Sequence, residues 1–117
     1  MVLFYKWIKT WPFYVDKDSD YMRISKSGTY QIIYNDFYIK NGIIVLYNET
    51  NNTDLVRIAL DSPPSGKYYP ISFNAIFEIN LTDSQDHNEI SIFIETSNNA
   101  YFDGKGYSSF FIKYLHD

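Results

Sequence analysis

Three aspartates, two histidines and two pairs of loop aromatics are the residues of this chain whose types and spacing bear on chemistry. Asp16, Asp18 and Asp20 share one parity, so an extended backbone points three carboxylates the same way, an arrangement suited to hard cations such as calcium. The register of a calcium-binding helix–loop–helix fails, however. Tyr21 stands where the required glycine would be, and Ser27 where the bidentate glutamate would be. A solvated acidic turn is the expectation, with no metal and no cofactor. His87 lies near Asp86 and Glu89 in a polar loop, and His116 is next to last. A catalytic histidine needs an orienting carboxylate and an activated nucleophile, and no sequence context marks a serine for that role. Gly104-Lys105-Gly106-Tyr107-Ser108 lacks phosphate-loop spacing and reads as a turn. Glu78 and Glu95 are the carboxylates on which a small glycan-active sandwich would have to rely. The reading is a non-enzyme without catalytic residues.

The aromatic pairs point elsewhere. Tyr68-Tyr69-Pro70 and Tyr101-Phe102 fall in loops, where such rings stack on sugars or pack on a protein partner. Tyr68, Tyr69, Tyr101 and Phe102 are therefore the candidate ligand-binding residues. The competing reading has these rings folding back over the end of the domain. Aromatics make up 20 % of the chain, with Tyr 12 and Phe 9, more than one small core needs. An AT-rich genome accounts for the surplus equally well. Asn48, Asn51 and Asn80 each begin a glycosylation sequon, two of them in a polar loop.

The net charge of −4 with scattered Lys and Arg excludes a phosphate-binding face and a polybasic membrane patch, so neither nucleic acid nor membrane insertion is expected. The absence of cysteine excludes disulfides and thiolate chemistry. The first residues, Met1 to Ile8, are apolar but interrupted by Lys6, without the continuous run of a signal peptide. The expectation is a tip excised from a longer chain or a protein exported by another route, residing outside the cell, on a cell or spore surface, or on a virion.

The elements that must position these residues follow from a period of two. Ile71, Phe73, Ala75, Phe77, Ile79 and Leu81 share one parity; so do Ile90, Ile92 and Ile94; so do Phe110, Ile112 and Tyr114. Each set occupies one face of a half-buried antiparallel strand. Earlier strands are expected at 2–8, 11–15, 21–25, 29–38, 43–47 and 55–60, with Ser27-Gly28 at a bulge or tight bend. Asn41-Gly42 is the strongest two-residue hairpin signal, and it predicts that 29–38 and 43–47 pair. The apolar run Ile43–Tyr47 predicts burial on both faces. With no helical period anywhere, the chain reads as one all-β domain over 1–117, an antiparallel sandwich or jelly roll of 8–10 strands, with 1–20 an N-terminal strand segment or linker.

The order of segments resembles the tumour necrosis factor and complement-q globular-head superfamily. Ser27-Gly28-Thr29-Tyr30-Gln31-Ile32 is similar to its Gly-x-Tyr strand, and Ile43-Ile44-Val45-Leu46-Tyr47-Asn48 to the strand that follows. Phe73–Leu81 and Glu89–Thr96 resemble its alternating hairpin, and Tyr107 to Leu115 its closing Ser-Ser-Phe-x-Gly-x-Leu strand. The resemblance spans about residues 20–115. Ile112 departs from the family's usual glycine, and Asp83–Asn88 replaces its Gly-Asp turn. What the resemblance implies is a homotrimeric jelly roll that binds a receptor or glycan, as in surface-filament and viral fibre tips. Tyr30, Tyr34, Phe111 and Tyr114 are the implied trimer-interface residues, with ordinary core packing as the alternative for each. A capsid or decoration subunit without a small ligand and a monomeric carbohydrate-binding sandwich are the other readings.

Overall fold

The structure, a computed structural model, describes residues 8–15, 21–38, 42–60, 69–95 and 109–117. Alternating side chains produce eight strands: β1 (Phe13–Tyr14), β2 (Met22–Ile24), β3 (Gly28–Tyr38), β4 (Ile43–Asn48), β5 (Thr53–Ala59), β6 (Tyr69–Ile79), β7 (Asn88–Glu95) and β8 (Ser109–His116). They form two antiparallel sheets, one ordered β1-β2-β7-β4-β5 and the other β6-β3-β8. No helix occurs among the described residues, so none is long and apolar enough to cross a membrane. The all-β sandwich expected from the alternation is the observed class.

The pairings are nested. β4 pairs with β5, β3 with β6 around that pair, and β2 with β7, although β6 lies between β5 and β7 in sequence. The chain therefore passes from one sheet to the other at most of its connections. Two expected hairpins are overturned by this arrangement. β3 and β4 do not pair across Asn41-Gly42; they belong to different sheets. β6 and β7, expected to form the alternating hairpin, are likewise on different sheets. The reason is occupancy. β3 is a central strand with β6 on one edge and β8 on the other, and β7 is held between β2 and β4. A local turn signal gives way when eleven register pairs between β3 and β6 already use the edge in question.

The core lies between the inner faces. Met22, Ile24, Ile44, Leu46, Ile90 and Ile92 from the larger sheet meet Tyr30, Ile32, Tyr34, Phe73, Phe77 and Ile79 from the smaller. All are buried, and Phe73, Ala75, Phe77 and Ile79 of β6 with Ile90 and Ile92 of β7 point inward as the expected parity requires. Val45 is also buried, on the face opposite Ile44 and Leu46, so β4 is covered on both sides as its apolar run predicts. The segment expected as a strand over 2–8 lies outside the described residues except Ile8, which forms a two-residue bridge with Val15.

Gly28 opens β3 with φ +156°, a region that L side chains rarely adopt. A Cβ there would lie 2.6 Å from Tyr114 Cε2 and 3.0 Å from the His116 carbonyl oxygen. The register shift against β8 falls immediately after it, between Thr29 and Tyr30, close to the expected bulge. Gly28→Ala is expected to lower stability by about 2 kcal/mol through strain and overlap together. Chemical denaturation of the two proteins, compared at equal slope, checks this.

Candidate functional site

Tyr30 organises one end of the sandwich. Its ring packs edge-on against Phe13 at 5.6 Å and Tyr114 at 5.5 Å, and is stacked with Phe77 at 5.9 Å. Its hydroxyl donates to the Lys26 carbonyl oxygen at 2.6 Å, fixing the turn between β2 and β3. That turn carries the Lys26 ammonium over the Tyr114 ring, 4.1 Å from its centre, and within 3.6 Å of Asp117 Oδ1. The Tyr114 hydroxyl donates to the same carboxylate oxygen. The pairing acts in both directions: Tyr114 and then Asp117 hold the Lys26 pKa above its ordinary value, while Tyr114 and then Lys26 hold that of the Asp117 carboxyl below its own. An open concavity of about 480 Å³ lies beside this cluster, lined in part by Lys26, Thr29, Glu78, Asn80 and Asp117.

A second groove, about 350 Å³, opens at the β1–β2 side of the larger sheet, lined in part by Lys9, Trp11, Tyr14, Arg23, Ser25 and His87. Local backbone bonds build it. Ile8 and Val15 exchange N–H···O bonds of 3.0 and 2.8 Å, Phe13 N donates to Thr10 O at 2.8 Å, and Ser25 N donates to Pro12 O at 2.9 Å. The Trp11-Pro12 peptide is cis. This frame presents the Trp11 indole with 69 % of its surface exposed. On the outer face of the sheet, Tyr14 sits opposite Arg23 and Arg23 opposite Glu89. The Arg23 guanidinium lies 5.6 Å from the centre of the Tyr14 ring. Glu89 Oε1 reaches both Arg23 Nε and His87 Nε2 at 3.7 Å, orienting two groove side chains with one oxygen.

Side-chain amides, of which Asn48 and Asn88 are buried, lock the adjoining loops. Asn48 Nδ2 donates to Asn88 Oδ1 at 3.0 Å, Asn88 Nδ2 to Gln85 Oε1 at 3.0 Å, and Gln85 Nε2 to Asn51 Oδ1 at 2.9 Å. Asn48 is thus a buried structural amide at the end of β4, which removes it as an accessible sequon; Asn51 and Asn80 are exposed. Asn88→Ala would strand the Asn48 donor, so a loss of roughly 1–3 kcal/mol is expected, measurable by thermal melting.

Of the residues singled out by sequence, Tyr30 and Tyr114 are brought into contact, and the others that the structure describes are spread over several elements. Tyr68, Tyr101 and Phe102 lie outside the described residues, and Tyr69 is the first residue of β6, paired with Tyr38. Asp16, Asp18 and Asp20 also lie outside them. Among the described residues no group of three His, Asp or Glu side chains is placed to hold a metal ion. Tyr30 and Tyr34 are wholly buried inside the single chain, so the interface role expected for them is replaced by a core role. Tyr34 donates to the buried Asp36 carboxylate at 2.6 Å. Tyr114 is half-buried against the core, whereas Phe111 is 53 % exposed. Glu95 is clamped by Arg57 at 3.0 and 3.1 Å on one sheet, and Glu78 stands on the other, so the two carboxylates do not form a pair. Glu95, then Asp54, raise the Arg57 pKa still further. Trp11 and Arg23 belong to no motif, so the sequence does not single them out. The adjoining Lys9-Thr10-Trp11-Pro12, an indole beside a cation at a proline turn, was the available signal.

No family model, curated protein or solved structure matches the chain.

Burial, with smaller contributions from Tyr114 and Asp117, pushes the Tyr30 phenol up from 10.0 to about 12. Because the folded value is the higher one, its contribution is intact below the unfolded value of 10.0 and is lost as pH rises toward about 12. Absorbance titration of the tyrosinates, wild type against Tyr30→Phe, should show this phenol ionising above the ordinary tyrosine value, with stability falling across that window and the fall flattened in the variant.

Proposed function

We propose that the chain is a non-enzymatic recognition or structural head, a jelly roll of the tumour-necrosis-factor-like kind that associates as a homotrimer at a cell, spore or virion surface. The nested pairing of β2·β7, β3·β6 and β4·β5, wrapped so that successive pairs alternate between sheets, supports the jelly roll. The orders β2-β7-β4-β5 and β8-β3-β6 are those that such wrapping of one long folded hairpin gives.

The observation that carries the assembly is the outer face of the smaller sheet. Gln31 lies opposite both Ile76 and Lys113, and Ile33 opposite both Asn74 and Phe111. Ile33 and Phe111 therefore stand side by side, with Ile76 diagonal to Ile33, and Ile76 is 62 % and Phe111 53 % exposed. Exposed apolar side chains set among polar ones, here the Gln31–Asn74 bond of 3.1 Å that passes between Ile76 and Ile33, with Glu78 and Lys113 beside them, suit a subunit contact. Phe111 keeps the interface role that Tyr30 and Tyr34 do not have. Three copies would also multiply weak single sites on the loops into a useful avidity for a receptor, glycan or assembly partner.

Light scattering in line with size-exclusion chromatography, at two protein concentrations, tests the reading. A concentration-independent mass near three subunits of 13.8 kDa is expected. Ile76→Asp with Phe111→Asp should reduce it to one subunit with an unchanged circular dichroism spectrum, since both side chains are exposed. A wild-type monomer would overturn the trimer and leave a single-copy binding sandwich.

A further inference from the structure

We propose that the Trp11 groove is a binding site for carboxylate-bearing saccharides, such as chains of uronic acid. Its position on the larger sheet leaves it open whether or not the smaller sheet is covered by neighbouring copies. Three features converge on this ligand chemistry. First, Trp11 offers a flat indole face at a turn pinned by four backbone hydrogen bonds. A sugar ring presents a matching patch of C–H groups, and a fixed platform loses little entropy when it is covered. Second, the described lining residues include Lys9 and Arg23 and no carboxylate, in a chain whose net charge is −4. Arg23 meets Glu89 through Nε at 3.7 Å and also lines the groove, where a guanidinium suits a ligand carboxylate. Third, Ser25 and His87 supply hydrogen-bonding groups along the same wall, with His87 aimed by Glu89. A shallow groove with one aromatic floor and a polar rim suits a saccharide better than a peptide, whose apolar anchors need deeper pockets.

Nothing covalent is involved; the site binds and releases. Lys26 Nζ lies over the Trp11 ring at 6.0 Å and closer over Tyr114 at 4.1 Å, and Trp11 keeps 69 % of its surface exposed.

The test is calorimetric titration of the full chain with a short oligogalacturonate and, separately, with a neutral cello-oligosaccharide of equal length. The uronate should bind, weaken with added salt, and lose about tenfold or more in affinity in Trp11→Ala and in Arg23→Gln. Because Arg23 also packs on Tyr14, Arg23→Lys is the companion variant and should recover part of the affinity at an unchanged melting temperature. Equal binding of the neutral sugar would overturn the acidic-ligand assignment. Uronate binding untouched by both substitutions, or no binding at millimolar ligand, would overturn the site. None of these outcomes depends on the oligomeric state, so a failed trimer and a failed groove are told apart.

Discussion

Burial of a single phenol, Tyr30, ties the layers of this sandwich together. The ring stands on the central strand of the smaller sheet and touches β1 of the larger one through Phe13, β6 through Phe77 and β8 through Tyr114. A buried tyrosine needs a partner for its hydroxyl, and the Lys26 carbonyl provides it. That bond sets the β2–β3 turn, the turn sets the Lys26 side chain, and Lys26 gathers Tyr114 and Asp117 around itself. The groove beside Trp11 is anchored to the same frame, because Ser25 bonds Pro12 one residue before Lys26. Packing and surface chemistry at this end are therefore one problem with one solution.

The amide network follows the same logic at the neighbouring loops. Asn48, Asn51, Gln85 and Asn88 satisfy one another between the β4–β5 turn and the approach to β7. Among the described residues no buried side-chain nitrogen or oxygen is left without a partner. Side chains that look like loop filler in an Asn-rich sequence are the cross-links that hold two distant turns in register.

The strands were legible in the sequence because a period of two is enforced wherever one face is buried and the other wet. β6 shows it most cleanly, with Phe73, Ala75, Phe77 and Ile79 inward and Ile76 outward. Pairing was not legible. Asn41-Gly42 carries local information only, whereas the partner of β3 was decided by residues some forty positions away. The inward parity of β3 was partly hidden as well, because its fourth inward residue is Asp36, a carboxylate buried against Tyr34. The groove escaped for a related reason: Trp11, Arg23 and His87 are brought together by β1, β2 and the approach to β7, and no spacing rule links them.

The nesting of strand pairs also imposes an order on how the chain can assemble. The β4–β5 pair closes a loop of only four residues between Asn48 and Thr53. β3·β6 encloses that unit, and β2·β7 spans the whole of it. Closing a loop costs more entropy the longer it is, so the inner pair is the cheapest nucleus and each outer pair is cheaper once the one inside it exists. The fold zips outward from its middle. The last strand, β8, pairs with β3 across the longest separation in the sequence, so the ring cluster that Tyr114 completes around Tyr30 closes only when the two ends of the chain have met.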